Sequence, residues 1–217
     1  MNSSQPPHLA EHHLTQAEGE LLVRTGRHAI ATYLSERKFI PSPDQATERL
    51  RAKSGVFVTL NTVKPAHELR GCIGFPYPEA PLIDSTIRAA VYAATEDPRF
   101  PPVEPTEFNE SIAVEVTALT QPKPLETTDR KKLPGMVRVG VHGLIIEGRG
   151  SSGLLLPQVA TEWGWDSSEF LSNCCMKAGL PPDSWLLDGV RVKVFEGEIF
   201  EEVEPAGKIR RKAITGQ

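Results

Sequence analysis

The residues best suited to chemistry lie in one short run, Leu69-Arg70-Gly71-Cys72-Ile73-Gly74. On a strand of period two, Arg70, Cys72 and Gly74 share a face, and same-face neighbours stand ~6.5–7 Å apart. A cation and a thiol therefore point the same way. At ~6 Å a unit positive charge is worth ~0.7 kcal/mol to a thiolate in water and ~3 kcal/mol at an effective dielectric of 20. Desolvation acts in the opposite direction. The spacing admits a nucleophilic Cys72 with Arg70 orienting an anionic group, and equally a small buried cysteine in a glycine-rich strand. Glycines weaken a strand unless something approaches its backbone, so Gly71 and Gly74 read as positions where a ligand comes close.

Other chemistry-bearing residues carry weaker signals. His142, at a turn before Gly143, is a candidate general base or a plain turn residue. Cys174 and Cys175 are vicinal on a predicted helix, where Cys174 falls on the apolar face and Cys175, near Lys177, is a weak nucleophile candidate. His8, His12 and His13 sit in a polar leader without preset geometry, so no metal site is expected from them. Gly148-Arg149-Gly150-Ser151-Ser152-Gly153 matches a dinucleotide fingerprint literally, but Leu154-Leu155-Leu156-Pro157 follows it as strand, with no helix to hold a pyrophosphate. It reads as a hairpin loop. No Walker loop, zinc-protease pair or serine-hydrolase elbow is present, and no cofactor is expected.

These residues need elements to position them. Thr15-Gln16-Ala17-Glu18 is a capping box opening an amphipathic helix that ends near Ser35. Residues 54–61 and 68–75 read as an antiparallel hairpin, and the apolar stripe from Leu82 to Ala94 reads as a second helix after Pro81. Asp97-Pro98-Arg99-Phe100-Pro101-Pro102 is a stiff loop. Ile112, Val114 and Val116 mark a one-sided strand, and residues 136–141 and 144–147 suggest a second hairpin turning at His142-Gly143. Asp166 to Glu169 caps another helix that Gly179 ends. Val190, Val192 and Val194 form a late strand whose sheet Ile199 and Phe200 continue. Interspersed helices and hairpins fit an α+β fold with antiparallel sheets and flanking helices.

Composition bounds the function. With 217 residues, 39% of them hydrophobic, the chain can bury a core, and 24 basic against 28 acidic residues give a net charge of −4. That balance argues against nucleic acid as a partner, and no apolar run approaches a membrane span. Three cysteines without a C-x-x-C pair argue against a disulfide framework, so a soluble cytoplasmic protein is expected. Residues 1–13 read as a flexible leader, 14–206 as the folded domain and 207–217 as a basic flexible tail carrying Lys208, Arg210, Arg211 and Lys212.

The chain resembles the AMMECR1 domain family, also called AmmeMemoRadiSam system protein A. The likeness rests on the 69–74 motif together with Asp97-Pro98-Arg99-Phe100-Pro101-Pro102-Val103, Gly140-Val141-His142-Gly143-Leu144, residues 154–160 and Lys177-Ala178-Gly179-Leu180, in order from about Glu18 to Glu202. Phe75-Pro76-Tyr77-Pro78 departs from the small polar residue that many relatives carry there. The resemblance implies a larger and a smaller lobe sharing a core, and it brings no settled activity. Its name implies a modification pathway with Memo-type and radical S-adenosylmethionine proteins as partners. It also suggests Arg99 and His142 as supporting groups. On this basis the expectation is an enzyme, a cysteine-dependent transferase or hydrolase, or a substrate-handling component using Cys72 and Arg70. The alternative is a non-enzymatic module binding a protein or, on weaker grounds, RNA.

Overall fold

The structure is a computed structural model and describes residues 13–63 and 66–212. Among these, the helices in chain order are α1 (Gln16–Glu36), α2 (Glu48–Arg51), α3 (Leu82–Thr95), α4 (Pro105–Ser111), α5 (Leu133–Met136), α6 (Pro157–Trp163) and α7 (Ser167–Lys177). The strands are β1 (Val56–Thr62), β2 (Leu69–Phe75), β3 (Ile112–Leu119), β4 (Lys123–Pro124), β5 (Gly143–Gly148), β6 (Ser151–Leu155), β7 (Arg191–Phe195), β8 (Gly197–Glu202) and β9 (Ile209–Lys212). The fold is α+β with two sheets, and the chain divides into two compact units.

The larger unit takes residues 13–119 and returns for 198–212. Its sheet has the order β2-β1-β3-β8-β9, with β1 antiparallel to both β2 and β3. Strict alternation sends Val56, Val58 and Leu60 of β1 to the buried face, along with Val114 and Val116 of β3. Leu22 and Ile30 of α1 and Ile83 and Ala90 of α3 complete this core. The opposite face carries Phe57, Thr59, Glu115 and Thr117, all half-buried. The capping box forms as expected: Thr15 Oγ1 accepts the Glu18 N–H and the Glu18 carboxylate accepts the Thr15 N–H at 2.8 Å.

The smaller unit spans residues 120–197, with sheet order β4-β7-β5-β6. Leu144, Ile146, Val192 and Val194 meet Phe170, Leu171 and Cys174 of α7 in a separate core. Gly153 lets α7 approach β6, since a Cβ there would stand 2.4 Å from the Ala178 nitrogen.

Several expectations are corrected. Residues 136–141 are not a strand: α5 ends at Met136 and the chain turns, with the Arg138 carbonyl accepting the N–H of His142 at 2.8 Å. The hairpin of this unit turns at Arg149-Gly150. Ile199 and Phe200 lie on β8 in the larger sheet and do not extend the sheet of β7. In place of the expected shared core, the described residues form one large buried cluster in each unit and a small third one of Ala29, Ile87 and Val91 in the larger unit. Part of the expected basic tail is strand β9, whose Arg210 pairs with Glu201, Arg211 with Glu198, and Lys212 with Glu115 and Glu201. Residues 1–12 and 213–217, including His8 and His12, lie outside the described residues. His13 is described, and its Nδ1 meets Glu198 at 2.6 Å.

Candidate functional site

Strand β2 is the edge of the larger sheet, and its register places Cys72 opposite Thr59, Gly71 opposite Leu60 and Gly74 opposite Phe57. Both glycines admit close neighbours from the chain itself. A Cβ at Gly71 would stand 2.2 Å from the Ala93 carbonyl of α3, and one at Gly74 would meet the Phe57 ring at 2.2 Å. The close approach read from these glycines is therefore made by a helix on one face and an aromatic ring on the other.

Arg70 and Cys72 share a face of β2, but their side chains have different partners. Arg70 is 13% exposed and forms a two-pronged pair with Glu107 of α4, Nε to Oε1 at 2.6 Å and Nη2 to Oε2 at 3.0 Å. Its Nη1 donates to the Pro101 carbonyl at 2.9 Å. Every nitrogen of that guanidinium is thus engaged in joining β2 to α4 and to the loop before it.

Cys72 is half-buried, and its sulfur accepts a hydrogen bond from Thr59 Oγ1 at 3.4 Å. As an edge residue, Cys72 has outward peptide groups that need partners, and the 97–99 segment supplies them. Asp97 Oδ2 accepts the Cys72 N–H at 2.8 Å, and Arg99 Nη2 donates to the Cys72 carbonyl at 3.4 Å. The same Asp97 carboxylate holds the Arg99 side chain through Oδ1 at 3.0 Å and Oδ2 at 2.8 Å. Asp97 is 3% exposed and Arg99 54%, so a sealed acid anchors an open cation. Hydrogen bonds from the Arg99 side chain, helped by the Cys72 amide, hold the Asp97 carboxyl well below the usual carboxylate range. The Arg99 guanidinium is held above its ordinary value, first by the Asp97 hydrogen bond and, among lesser causes, by attraction to a Cys72 thiolate. Among the described residues Arg99 Nη1 has no hydrogen-bond partner. Phe100 lies between the two arginines, its ring 6.0 Å from Arg70 Cζ and 5.4 Å from Arg99 Cζ.

A family model for AMMECR1 matches residues 23–200, which include this strand and this loop. The chain belongs to the AMMECR1 family. An uncharacterised protein of Thermococcus gammatolerans is 52% identical over 199 residues, covering 91% of this chain and 96% of that one. A protein of Methanopyrus kandleri is 50% identical over 202 residues, with 93% and 97% covered. The crystal structure of an uncharacterised protein from Pyrococcus horikoshii has 49% sequence identity and a TM-score of 0.75, covering 92% of this chain and 98% of that one.

The remaining candidates of this AMMECR1 protein lie in the smaller unit. His142 is buried, with Nδ1 accepting the Arg138 backbone N–H at 3.2 Å and Nε2 facing the Arg138 guanidinium at 3.1 Å and Glu196 at 3.5 Å. Burial, with the nearby positive charge of Arg138, lowers its pKa to about 4, which leaves a neutral ring at pH 7 with little appetite for a proton. Burial pushes the Cys174 thiol up to about 12 and raises that of Cys175, so neither supplies a thiolate near neutrality. Among the described residues no group of three or more His, Cys, Asp or Glu is arranged to hold a metal ion, and no helix is long and apolar enough to cross a membrane.

Two residues of the Cys72 corner were not singled out in the sequence. Thr59 becomes visible once β1 and β2 are put in register. Asp97 had a signal of its own: an acid two residues before an arginine, with a proline between them to stiffen the turn.

Proposed function

We propose that this AMMECR1 protein handles its substrate through the Cys72 thiol, with Arg99 receiving an anionic group of that substrate and Arg70 serving to position the motif. The observation that carries this reading is the half-exposed Arg99 guanidinium, fixed by a buried carboxylate and reaching the Cys72 carbonyl, with Nη1 free among the described residues. A cation held in place loses little entropy on binding an anion and stabilises negative charge on a nearby sulfur. The step this corner suits is attack by the thiolate on an electrophilic carbon. A C–S bond forms, the leaving group departs with its electron pair, and a second acceptor later releases the carried group. Partners of the Memo and radical S-adenosylmethionine types belong to the same proposal, as suppliers or acceptors of that group.

Peptide-resolved mass spectrometry of iodoacetamide labelling at pH 7 tests the reading. Cys72 should label faster in the native protein than in urea-unfolded chain, and Arg99→Gln should slow it about three- to tenfold. Labelling of native Cys72 no faster than in the unfolded chain sinks the nucleophile. A second reading, a protein-binding surface without catalysis, draws support from the saturated Arg70–Glu107 pair, which makes the motif a structural brace. In that case Cys72→Ala would retain partner capture and Arg70→Ala would lose it.

A further inference from the structure

Away from Cys72, the larger unit holds a cavity of about 620 Å³ that the thiol chemistry leaves unused, with α1 on one side and residues 40–45 on the other. Leu21, Arg24, Thr25 and His28 reach it from one stripe of α1, at the spacing that stacks side chains on a single helix face. The facing segment is held in place. Pro41 and Pro43 stiffen it, Ser42 Oγ donates to Asp84 of α3, and Arg51 donates to the carbonyls of Ala46 at 3.0 Å and Asp44 at 3.2 Å. Around this preformed space several polar groups lack partners. The helical threonines Thr86 and Thr95 return their hydroxyls to the carbonyls four residues earlier, at 2.8 and 2.9 Å. Thr25 does not: it is 4% exposed, and its hydroxyl has no partner among the described residues. No fully sealed side-chain oxygen among those residues lacks a partner, so the accessibility that Thr25 retains includes its hydroxyl, at the cavity wall. The side chains of His28 and Asp44 also have no hydrogen-bond or ion-pair partner among the described residues. Among them Arg24 has a loose, exposed pair with Glu20 at 3.9 Å, one turn earlier on the helix, and nothing tighter.

We infer that this cavity binds a short unblocked peptide, a zwitterion of two or three residues with apolar side chains. Charge selects the two ends. Arg24, His28 and the free Thr25 hydroxyl supply donors for the carboxylate from α1, and Asp44 on the facing segment offers an unmatched anion for the ammonium group. A sugar phosphate would suit Arg24 and the hydroxyl but bring a dianion into the same cavity as Asp44, and a polyamine would leave Arg24 unmatched. Leu21, Ile40, Pro41 and Pro43 add apolar lining, which suits aliphatic side chains. Size selects the length. An extended peptide of two or three residues reaches ~7–11 Å, about the breadth of a cavity of this volume, which one amino acid would fill only in part. The segment pinned through Ser42 and by Arg51 needs no ordering when the ligand arrives, which lowers the cost of binding.

Isothermal titration of the full chain with the dipeptide Leu-Leu at low salt tests the inference. Saturable binding is expected below ~1 mM, weakened about tenfold by an N-acetyl cap and about tenfold by a C-terminal amide, since each cap removes one charge-assisted contact. The two ends should be separable. Arg24→Gln should weaken Leu-Leu about tenfold and abolish its advantage over the C-terminal amide, whereas Asp44→Asn should abolish only its advantage over the N-acetyl form. Thr25→Val should weaken binding about threefold with no change in the urea midpoint, because the hydroxyl it removes has no partner among the described residues. Arg24 and Asp44 are exposed, so their substitution leaves the fold intact. No saturation below ~1 mM, equal binding of capped and free dipeptide, an end preference that survives both charge variants, or tighter binding of ribose 5-phosphate overturns the inference. Alkylation of Cys72 plays no part in this readout, so the outcome stands apart from the thiol reading.

Discussion

The thiols of the two units stand in opposite surroundings. In the smaller unit, Cys174 lies fully buried beneath β5 and β6, its sulfur directed at the carbonyls of Gly153 and Leu144 at 3.5 and 3.6 Å. In the larger unit, Cys72 stands half-buried on the face of an edge strand, with a hydroxyl on its sulfur and a guanidinium on its own carbonyl. The residue type is the same and the surroundings differ: burial suppresses the thiolate of Cys174, while Cys72 lies within reach of solvent on an edge strand. What decides is which face of which element the cysteine occupies, and whether that element is interior or edge.

The largest expected break in this symmetry is reactivity. At pH 8 native Cys72 should alkylate at least about 100-fold faster than Cys174 or Cys175, which should react only on unfolding; comparable rates for all three would erase the contrast. Next comes acid stability. His142 has a folded pKa of about 4 against an ordinary 6.5, so its neutral burial stabilises the fold fully above pH 6.5 and less as pH falls from 6.5 toward 4. The loss is on the order of 2 kcal/mol after allowance for solvent, and His142→Gln should flatten it in urea melts across that window. Asp97 acts in the same direction at lower pH, its contribution present above its ordinary value of 3.8 and lost as pH falls below it. The two units should therefore lose stability in separate pH ranges. Asp97→Asn, which removes the anion from four hydrogen bonds, should cost about 1–3 kcal/mol by denaturant titration and slow Cys72 labelling, whereas a purely structural acid would alter only the first. Cys174→Ser should cost about 1–2 kcal/mol in the same assay, with Cys72→Ser below about 1 kcal/mol. The smallest effect is expected from Thr59→Val, about a twofold change in Cys72 labelling with little change in stability.

Local chemistry in the sequence located much of the fold. The capping boxes at Thr15 and Asp166 mark helix starts that the structure realises, with Ser168 and Glu169 donating to Asp166 as expected. The alternation in β3 told which face was core. Residues 136–141 misled because Met136, Val137, Val139 and Val141 contain both a short alternation and a helical spacing, and a turn at Leu133–Met136 settled the conflict. At the site, the shared face of Arg70 and Cys72 was legible from the strand period alone. Glu107 was not, because it reaches Arg70 across 37 residues and no local signal records that approach. For the same reason Arg70 read as an open anion receptor when the structure gives that openness to Arg99.

The chain leaves the larger unit after Leu119 and returns at Glu198, so the smaller unit is inserted into it. Buried Glu202, which takes the Arg27 side chain and the Val114 N–H, belongs to the returning segment. During synthesis on the ribosome, β3 and the Arg27 cation must therefore wait while about 80 intervening residues emerge, with one strand edge and one charge still unsatisfied. The nascent chain is vulnerable to misassembly over that interval, and a chaperone that shields an open strand would act there.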